Sequence, residues 1–325
     1  MKAVHIEGPG PDYRLIVNSL PQPEAGPGEV LIAVKAAGLN NADLLQARGK
    51  YPPPPGASPV PGMEISGVIT QLGENAGSWK IGDKVCALLP GGGYAEYAVA
   101  DAGGVLPVPD TIDLVEAAGL PEAAFTAWTN IVDAGRVLPG ESLLIHGGTS
   151  GIGSLAIQIF AGRGHKIFAT AGSAEKCAAA RRFGASRAIN YREEDFVAVV
   201  KTETGGKGVD VILDMVGGSY IQRNIDAAAA WGRIVNIAYQ DGFRTEVNFA
   251  PVLSKRLTLA ATTLRGRTPE QKRAIRDALL GQVWPRLGSG IKPVTERVFP
   301  LEQAQEAHEF MAKTGHIGKI LLQIA

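Results

Sequence analysis

Cysteine is scarce in this sequence of 325 residues, and charge of neither sign dominates it. The only cysteines are Cys86 and Cys177, which excludes a disulfide framework and favours a reducing compartment, the cytoplasm. The 32 Lys and Arg residues equal the 32 Asp and Glu residues in number, so no net field attracts the chain to nucleic acid or to an anionic membrane. Partners of those two kinds are therefore not expected.

Long apolar runs are missing as well. The longest uncharged stretch, 142–162, contains five glycines together with His146 and Gln158, and this composition argues against a transmembrane helix. The first ten residues, MKAVHIEGPG, have no apolar segment typical of a signal peptide. Apolar residues nevertheless make up 45% of the chain, which is enough for the cores of about two domains.

The first 120 residues carry the pattern of antiparallel strands. Apolar side chains recur at every second position in short runs, as in Val30, Ile32, Val34 and Ala36. Further strands are predicted around 68–72, 84–88 and 94–99. The six prolines at 52–61 exclude a helix or a central strand there.

After residue 121 the pattern changes to short apolar strands separated by helical segments. Strands with helices between them form βαβ units, and hence a parallel sheet covered on both faces. Six strands are predicted, as in a complete dinucleotide-binding fold, at 143–146, 166–170, 187–190, 210–214, 233–237 and 257–263.

The last 59 residues of the sequence return to the character of the first domain. A helix is predicted with Thr268 as N-cap and Pro269 at its first position, followed by a strand near Arg297, a helix from about Leu301 to Gly315 and a strand at 318–324. The prediction is an α/β chain in which a Rossmann domain, 122–266, is inserted into a β-rich domain made of 1–121 and 267–325.

A glycine-rich turn follows the first of the six strands. Such a turn between a strand and a helix lets backbone N–H groups approach a pyrophosphate at the positive end of the helix. The spacing here differs from the usual GxGxxG, but the four βα units downstream favour a dinucleotide site over a plain connector. The candidate residues are Gly148, Thr149, Ser150, Gly151, Ile152 and Gly153.

The end of the second strand selects the dinucleotide. Domains that bind NAD usually place an Asp or Glu there, about 20 residues after the glycines, on the ribose 2′-hydroxyl. This chain instead has Gly172, which leaves room for a 2′-phosphate, Ser173, which can donate a hydrogen bond, and Lys176, which adds positive charge. Glu175 argues the other way, and Lys176 could be only a solvated helix charge. The pattern favours NADPH.

With these residues in view, the whole chain resembles the medium-chain dehydrogenase/reductases, and among them the zinc-independent quinone oxidoreductases similar to zeta-crystallin. The motifs that carry the resemblance are AGLNNAD (37–43), QARGKY (46–51), PGMEISG (61–67), GDKV (82–85), FT (125–126) and GHIGK (315–319). The resemblance implies a domain similar to chaperonin-10 (GroES-like), a six-stranded Rossmann domain, a cofactor in the cleft between them, and usually a homodimer or homotetramer.

The zinc enzymes of this superfamily differ at their metal sites. By resemblance, they have a Cys where this chain has Asn40 and a His where it has Met63, and their structural zinc needs four clustered cysteines. Glu64 remains from the metal motif, as a structural carboxylate or in a direct role. No metal is therefore expected. Without a Lewis acid, hydride transfer remains feasible to an electron-poor acceptor such as a quinone or an enone.

The resemblance also implies roles for single residues. Asn41 and Tyr51 would line the substrate site, although Asn41 could instead cap a helix and Tyr51 could pack in the proline-rich loop. Thr126 would lie near the nicotinamide and Tyr191 beside the adenosine. Arg265 could face the nicotinamide or form an ion pair, and Lys319 could lie near the cofactor or be a solvated charge. Further cofactor contacts are expected at the carboxyl ends of the strands, at Val216, Gly217, Ile237, Ala238, Leu264 and Gly266.

Three functions remain open at this stage. An NADPH-dependent quinone oxidoreductase is the leading one, and a reductase of enone or alkenal double bonds shares its fold and cofactor. A protein of another class, which binds NADPH without catalysis as in crystallin-like or RNA-binding relatives, is disfavoured in its RNA-binding form by the absence of a basic stripe.

Overall fold

The structure is a computed structural model that describes residues 1–313 and 315–324. It divides into two compact units. The β-rich unit comprises Met1–Phe125 and Arg265–Ala325, and the parallel-sheet unit comprises Thr126–Leu264.

The strands alternate with loops in the first part of the chain and with helices in the second. They are β1 (Lys2–Glu7), β2 (Arg14–Ser19), β3 (Glu29–Gly38), β4 (Glu64–Leu72), β5 (Lys84–Leu88), β6 (Tyr97–Asp101), β7 (Val105–Pro107), β8 (Leu143–Ile145), β9 (Ile167–Ala171), β10 (Arg187–Asn190), β11 (Val209–Asp214), β12 (Ala228–Asn236), β13 (Thr258–Ala261), β14 (Thr295–Pro300) and β15 (Lys319–Gln323).

The helices are concentrated after residue 120. They are α1 (Asn41–Ala47), α2 (Pro121–Trp128), α3 (Gly151–Ala161), α4 (Ala174–Phe183), α5 (Phe196–Glu203), α6 (Tyr220–Ala227), α7 (Ala250–Lys255), α8 (Pro269–Gln282) and α9 (Ala304–Ala312). No helix in the described ranges is long and apolar enough to cross a bilayer.

The β-rich unit is built around β3. This strand pairs antiparallel with β4, β6 and β15, and the sheet continues through β5 to β7 on one side and through β15 to β14 on the other. Its alternate side chains Val30, Ile32 and Val34 are buried in the core. The predicted return of the C-terminal segment to this unit is seen in β15, which lies between β3 and β14.

Helix α8 begins where the sequence predicts it. Thr268 is its N-cap and Pro269 its first residue. The Thr268 hydroxyl accepts from the Gln271 N–H at 3.3 Å, and the Gln271 side chain accepts from the Thr268 N–H at 3.1 Å. This reciprocal pair satisfies two backbone donors that a helix start otherwise leaves free.

The parallel-sheet unit confirms the predicted Rossmann fold. Its six strands are all parallel, in the order β10, β9, β8, β11, β12 and β13. One predicted boundary is wrong, because β12 begins at Ala228 rather than near Arg233. The Ala-rich segment before Trp231 has high helix propensity, but pairing with β11 extends the strand and overrides it.

Candidate active site

The glycine turn joins β8 to α3 and closely follows the predicted pattern. Ser150 is the N-cap of α3, and its hydroxyl accepts from the Gly153 N–H at 3.0 Å. A β-carbon on residue 153 would lie 2.2 Å from the Gly147 carbonyl oxygen, and one on residue 148 would lie 2.7 Å from the Ala169 β-carbon. Only glycine permits this close packing, which leaves the N-terminal amides of α3 as the donors that suit a pyrophosphate. These residues therefore fit a dinucleotide.

A buried polar network supports the turn from beneath. His146, fully buried, contacts the Thr170 hydroxyl through Nδ1 at 3.0 Å and the side-chain amide oxygen of Asn224 through Nε2 at 2.7 Å. Because that amide oxygen can only accept, Nε2 carries the proton and Nδ1 accepts from the hydroxyl. Burial lowers the His146 pKa and keeps the ring neutral. No local sequence pattern indicates this role of His146, because its partners Thr170 and Asn224 lie 24 and 78 residues away along the chain.

Asp214 continues the network at the end of β11. Its carboxylate accepts from the side-chain amides of Asn224 at 3.0 Å and Asn236 at 2.8 Å. It also accepts from the backbone N–H groups of Val216 at 2.7 Å and Gly217 at 3.2 Å. The fully buried carboxylate thereby fixes the loop that contains both of these predicted cofactor contacts. Like His146, it carried no local sequence signal.

The end of β9 brings together the residues predicted to read the ribose. Strands β9 and β10 pair in parallel, with Asn190 opposite Ala171, and this register brings Tyr191 to Gly172. A β-carbon on residue 172 would lie 2.6 Å from the Tyr191 hydroxyl. The room that we expected at Gly172 for a 2′-phosphate is thus occupied by the Tyr191 phenol, because residue 172 faces the neighbouring strand's extension.

Ser173 and Lys176 lie at the start of α4. Ser173 is the N-cap, and its hydroxyl accepts from the Lys176 N–H at 3.2 Å. An accepted bond leaves the hydroxyl proton available to donate. Ser173 therefore has a structural role in addition to its predicted contact with the 2′-phosphate, which stays a prediction.

The other residues predicted to contact the cofactor lie at several separate places in the chain. Thr126 is buried, and its carbonyl oxygen accepts from the Asn130 amide at 2.8 Å. Ile237 and Ala238 directly follow β12, and Ile237 N–H donates to the Asp214 carbonyl at 2.8 Å. Leu264 is the last residue of the parallel-sheet unit, whereas Arg265 and Gly266 belong to the β-rich unit.

Helix α1 positions the predicted catalytic residue Asn41. The alternative that Asn41 caps this helix is wrong, because Asn40 is the N-cap and Asn41 is the exposed first helical residue. Asp43 accepts from the Asn40 N–H at 2.8 Å. With the capping position filled by Asn40, the Asn41 side chain is available at the surface of the β-rich unit.

A buried cluster occupies the remnant of the metal motif. Both polar atoms of the Asn40 side chain are engaged, the nitrogen donating to Glu64 at 2.9 Å and the oxygen accepting from Lys319 at 2.7 Å. Lys319 also pairs directly with Glu64, and all three residues are buried. Lys319 is therefore no solvated charge, and Glu64 belongs to a buried hydrogen-bond network.

The residues here do not fit a zinc ion. The Asn40 amide is fully used within the cluster, and the neighbouring Met63 offers only a buried thioether. Within residues 1–313 and 315–324 there is no group of three or more His, Cys, Asp or Glu side chains arranged to hold a metal ion.

Tyr51 and Arg265 form a second cluster in the β-rich unit. The Arg265 guanidinium lies 5.3 Å from the Tyr51 ring centroid and donates to the Tyr51 carbonyl at 3.3 Å. It also donates to the Gln46 side chain at 2.7 Å and the Pro90 carbonyl at 2.8 Å. Burial raises the Tyr51 pKa, so its phenol stays protonated. The ion pair considered for Arg265 does not form among the described residues.

A chain of hydrogen bonds runs from Asp43 to the exterior of the β-rich unit. The Tyr94 hydroxyl donates to Asp43 at 3.2 Å and lies 3.4 Å from His308 Nε2, while the Tyr13 hydroxyl lies 3.0 Å from His308 Nδ1. Because Tyr94 donates to the carboxylate, Nε2 is the protonated nitrogen. Burial raises the pKa of Asp43 to about 6 and lowers that of His308 to about 3.

Two family models match the chain. The alcohol dehydrogenase GroES-like domain covers residues 26–110, and the zinc-binding dehydrogenase domain covers residues 151–279. Together they define the class as a dehydrogenase with a GroES-like domain followed by a cofactor domain.

Individual relatives identify the family within this class of dehydrogenases more closely. The quinone oxidoreductase of Rattus norvegicus is 30% identical over 328 residues, which cover 99% of this chain and 97% of that protein. The phthioceranic/hydroxyphthioceranic acid synthase of Mycobacterium tuberculosis is 31% identical over 323 residues, but the chain spans only 15% of its length.

Solved structures agree with these relatives. The Escherichia coli quinone oxidoreductase complexed with NADPH is 29% identical with a TM-score of 0.85, and the match covers 99% of both chains. The CurK enoyl reductase is 28% identical with a TM-score of 0.84 over 96% of this chain and 95% of that one. The chain belongs to the medium-chain dehydrogenase/reductase superfamily and, within it, to the quinone oxidoreductase family, as the sequence resemblance predicted.

Proposed function

We propose that the protein is an NADPH-dependent quinone oxidoreductase that works without zinc. The observation that carries the proposal is the buried cluster of Asn40, Glu64 and Lys319, in which both polar atoms of the Asn40 amide are engaged. An alcohol must lose its proton before it gives up a hydride, and a metal is the usual means of that activation. A quinone needs no such activation, because delocalisation stabilises the anion that it forms.

The choice of NADPH rests on the end of β9. The residues there are Gly172, Ser173 and Lys176, where enzymes that prefer NAD usually have an Asp or Glu. A hydroxyl and an ammonium suit a 2′-phosphate, and the glycine turn before α3 suits the pyrophosphate. The similar E. coli quinone oxidoreductase, whose structure is a complex with NADPH, supports the same choice.

NADPH, held by the glycine turn 148–153 and by Ser173 and Lys176, would supply the hydride, that is a hydrogen with two electrons, to the quinone. The quinone becomes a hydroquinone monoanion, which a proton from water completes. Asn41 and Tyr51 orient the acceptor, and loss of one positioning contact can lower a rate about a hundredfold.

The test is a panel of small quinones and enones assayed with NADPH and NADH, before and after dialysis against a chelator. We expect quinone reduction that dialysis leaves unchanged, zinc well below one atom per chain, and no oxidation of primary alcohols with NADP⁺. One zinc per chain whose removal abolishes turnover, or alcohol oxidation faster than every quinone and enone reduction, contradicts the proposal.

Reduction of conjugated double bonds is the second candidate, and the similarity to the CurK enoyl reductase favours it. Hydride then adds to the β-carbon, the charge collects on the enolate oxygen, and water protonates the α-carbon. The same panel separates the two functions by comparing kcat/KM for quinones and enones. A preference for every enone over every quinone would establish this second function.

We also propose that the protein is a cytoplasmic homodimer or homotetramer. Strand β13 ends the parallel sheet, and its Leu259 is 41% exposed. Nearby in sequence, Phe249 and Leu253 of the segment before β13 are 62% and 83% exposed. A sheet edge next to exposed apolar side chains favours association. Sedimentation equilibrium tests this, and a monomer at micromolar concentration contradicts it.

A further inference from the structure

Three lysine or arginine side chains are buried among the residues that the structure describes, and two of them face a carboxylate. Arg233 is 9% exposed and pairs with Glu141, and Lys319 is 7% exposed and pairs with Glu64. Arg265 is equally buried at 7% exposure, yet no carboxylate of the described residues lies within 4.0 Å of its guanidinium. Arg265 is therefore a buried cation without its own counter-charge.

Every acceptor of Arg265 is neutral. Nε donates to the Pro90 carbonyl, Nη1 to the Tyr51 carbonyl and Nη2 to the Gln46 side chain. A guanidinium has five N–H groups, so three are used and one remains on each terminal nitrogen. Burial lowers the Arg265 pKa, but guanidinium starts from so high a value that it stays charged. The carboxylates of Asp43 and Glu122 act on it only at longer range.

The contacts of Arg265 also fix the position and orientation of its guanidinium group. The three hydrogen bonds hold the guanidinium, and the Tyr51 ring lies 5.3 Å from its central carbon. A buried charge with no counter-ion is unfavourable for folding. Such an unfavourable group is typical of a functional site, where a ligand supplies the missing charge.

We propose that Arg265 binds the oxyanion of the acceptor, the negatively charged oxygen that a quinone or enone develops as it receives the hydride. This inference rests on the proposed function and assigns Arg265 to the acceptor rather than to the cofactor. In the neutral acceptor the oxygen carries little charge, whereas in the product anion it carries most of it. Because the interaction strengthens as charge develops, it lowers the barrier and raises kcat.

The anion could also come from the cofactor, whose phosphates carry the same charged oxygens. The two sources make different predictions, because a contact to phosphate changes the affinity for NADP⁺ and a contact to the acceptor does not. The proposal selects the acceptor because Arg265 stacks on Tyr51, which belongs to the same unit and is the predicted substrate residue.

The probe is 4-nitrophenol, a stable analogue of a hydroquinone whose anion absorbs visible light and whose neutral form does not. The full chain, saturated with NADP⁺, is titrated with the probe across a range of pH values. We expect the parent to bind the phenolate about tenfold or more tightly than the phenol, as a charge-assisted hydrogen bond predicts. Equal affinity of the parent for the two forms overturns the proposal, and this measurement needs no variant.

Variants locate the effect. Arg265→Gln should abolish the preference for the phenolate and lower kcat for quinone about tenfold to a hundredfold, with the Kd for NADP⁺ unchanged. Arg265→Lys keeps the charge and should retain part of the preference. Arg267→Gln, a change to the neighbouring arginine, is the matched control and should behave as the parent. A weaker affinity for NADP⁺ with an unchanged phenolate preference assigns Arg265 to the cofactor and overturns the proposal.

The quinone panel keeps this result separate from the proposed function. If the parent reduces no quinone or enone but selects the phenolate through Arg265, the proposed reaction is wrong and the anion site stands. If quinones are reduced and Arg265→Gln leaves both kcat and the phenolate preference unchanged, the reaction stands and the role of Arg265 is wrong.

Discussion

The hydroxyl oxygen of Tyr191 lies only 2.6 Å from the position that a β-carbon on residue 172 would take, so a side chain there would collide with it. This relationship joins the ends of two neighbouring strands at the predicted ribose site. Tyr191 is 42% exposed, so its ring can move if the space is filled. The two residues are therefore coupled, and their coupling is measurable.

Gly172→Ala should displace the Tyr191 ring and weaken NADPH binding about tenfold, the loss of roughly one hydrogen bond. Tyr191→Ala removes the obstacle, so adding Gly172→Ala to it should change the affinity little further. Fluorescence titration of NADPH over the parent, the two single variants and the double variant measures this coupling. Gly104→Ala, which places a β-carbon in open space, is the control. Additive effects of the two changes contradict the proposed coupling.

The buried pair of Lys319 and Glu64 should behave differently from a surface pair. Lys319→Met leaves the Glu64 carboxylate buried without its cation, a change that typically lowers the free energy of unfolding by about 3–5 kcal/mol. Lys2→Met breaks the pair with Glu302, in which both side chains are 57% exposed, and should have little measurable effect. Urea unfolding compares the two, and equal losses would show that burial does not govern the Lys319 pair.

Glu64→Gln in the Lys319→Met background should recover part of the loss, since it removes the unpaired charge. If the double variant is less stable than Lys319→Met alone, the carboxylate is not what destabilises the single variant.

His308 should make the protein less stable in acid. Its folded-state pKa of about 3 lies below the ordinary value of 6.5, so between those values the unfolded chain binds the proton and the folded chain does not. Stability due to this group is then lost as pH falls from 6.5, by at most about 1.4 kcal/mol per pH unit. Asp43 acts in the opposite sense, because its folded-state pKa of about 6 exceeds 3.8 and its contribution is lost as pH rises through 6.

His308→Gln removes only the first of these two effects. The free energy of unfolding of the variant, relative to that of the parent, should therefore rise steadily between pH 6.5 and pH 4.5. Urea denaturation at several pH values tests this, with His5→Gln, a change to an exposed histidine of the same unit, as the control. A difference that does not vary with pH would mean that His308 titrates normally.

The preference for NADPH over NADH should depend on Lys176. Lys176→Ala should raise the KM for NADPH about tenfold or more and leave that for NADH almost unchanged, since a charge-assisted bond to the 2′-phosphate contributes about 1.5–3 kcal/mol. Arg182→Ala, at the other end of α4, serves as control. If the parent uses NADH as well as NADPH, the assignment of the 2′-phosphate is wrong.

Much of the fold could be predicted because its signals are local. The spacing of apolar residues predicts the strands on either side of the glycine turn and of α3, and Thr268 followed by Pro269 predicts the start of α8. The start of β12 at Ala228 could not be predicted, because Ala-rich sequence favours a helix and only pairing with β11 decides otherwise.

The site divides in the same way. The turn that holds Gly148 to Gly153 is a contiguous motif. In contrast, Asn40 and its partner Lys319 are 279 residues apart in the sequence, and Gln46 and its partner Arg265 are 219 apart. No local pattern specifies such pairs. The sequence therefore shows that Arg265 follows the sixth strand, but only the folded β-rich unit shows that it is buried with neutral acceptors.

The position of β15 has a consequence for the order of folding during synthesis. This strand pairs with β3, which lies almost 300 residues earlier in the sequence, so the sheet of the β-rich unit is incomplete until β15 (Lys319–Gln323) has been synthesised. The parallel-sheet unit is one continuous segment, Thr126–Leu264, and its strands are available for pairing earlier. During that interval residues Ala36, Ala37 and Gly38 of β3 lack their partner strand, and an unpaired strand edge is prone to aggregation. We therefore expect nascent chains stalled before β15 to hold a folded parallel-sheet unit and to depend on chaperones for the rest.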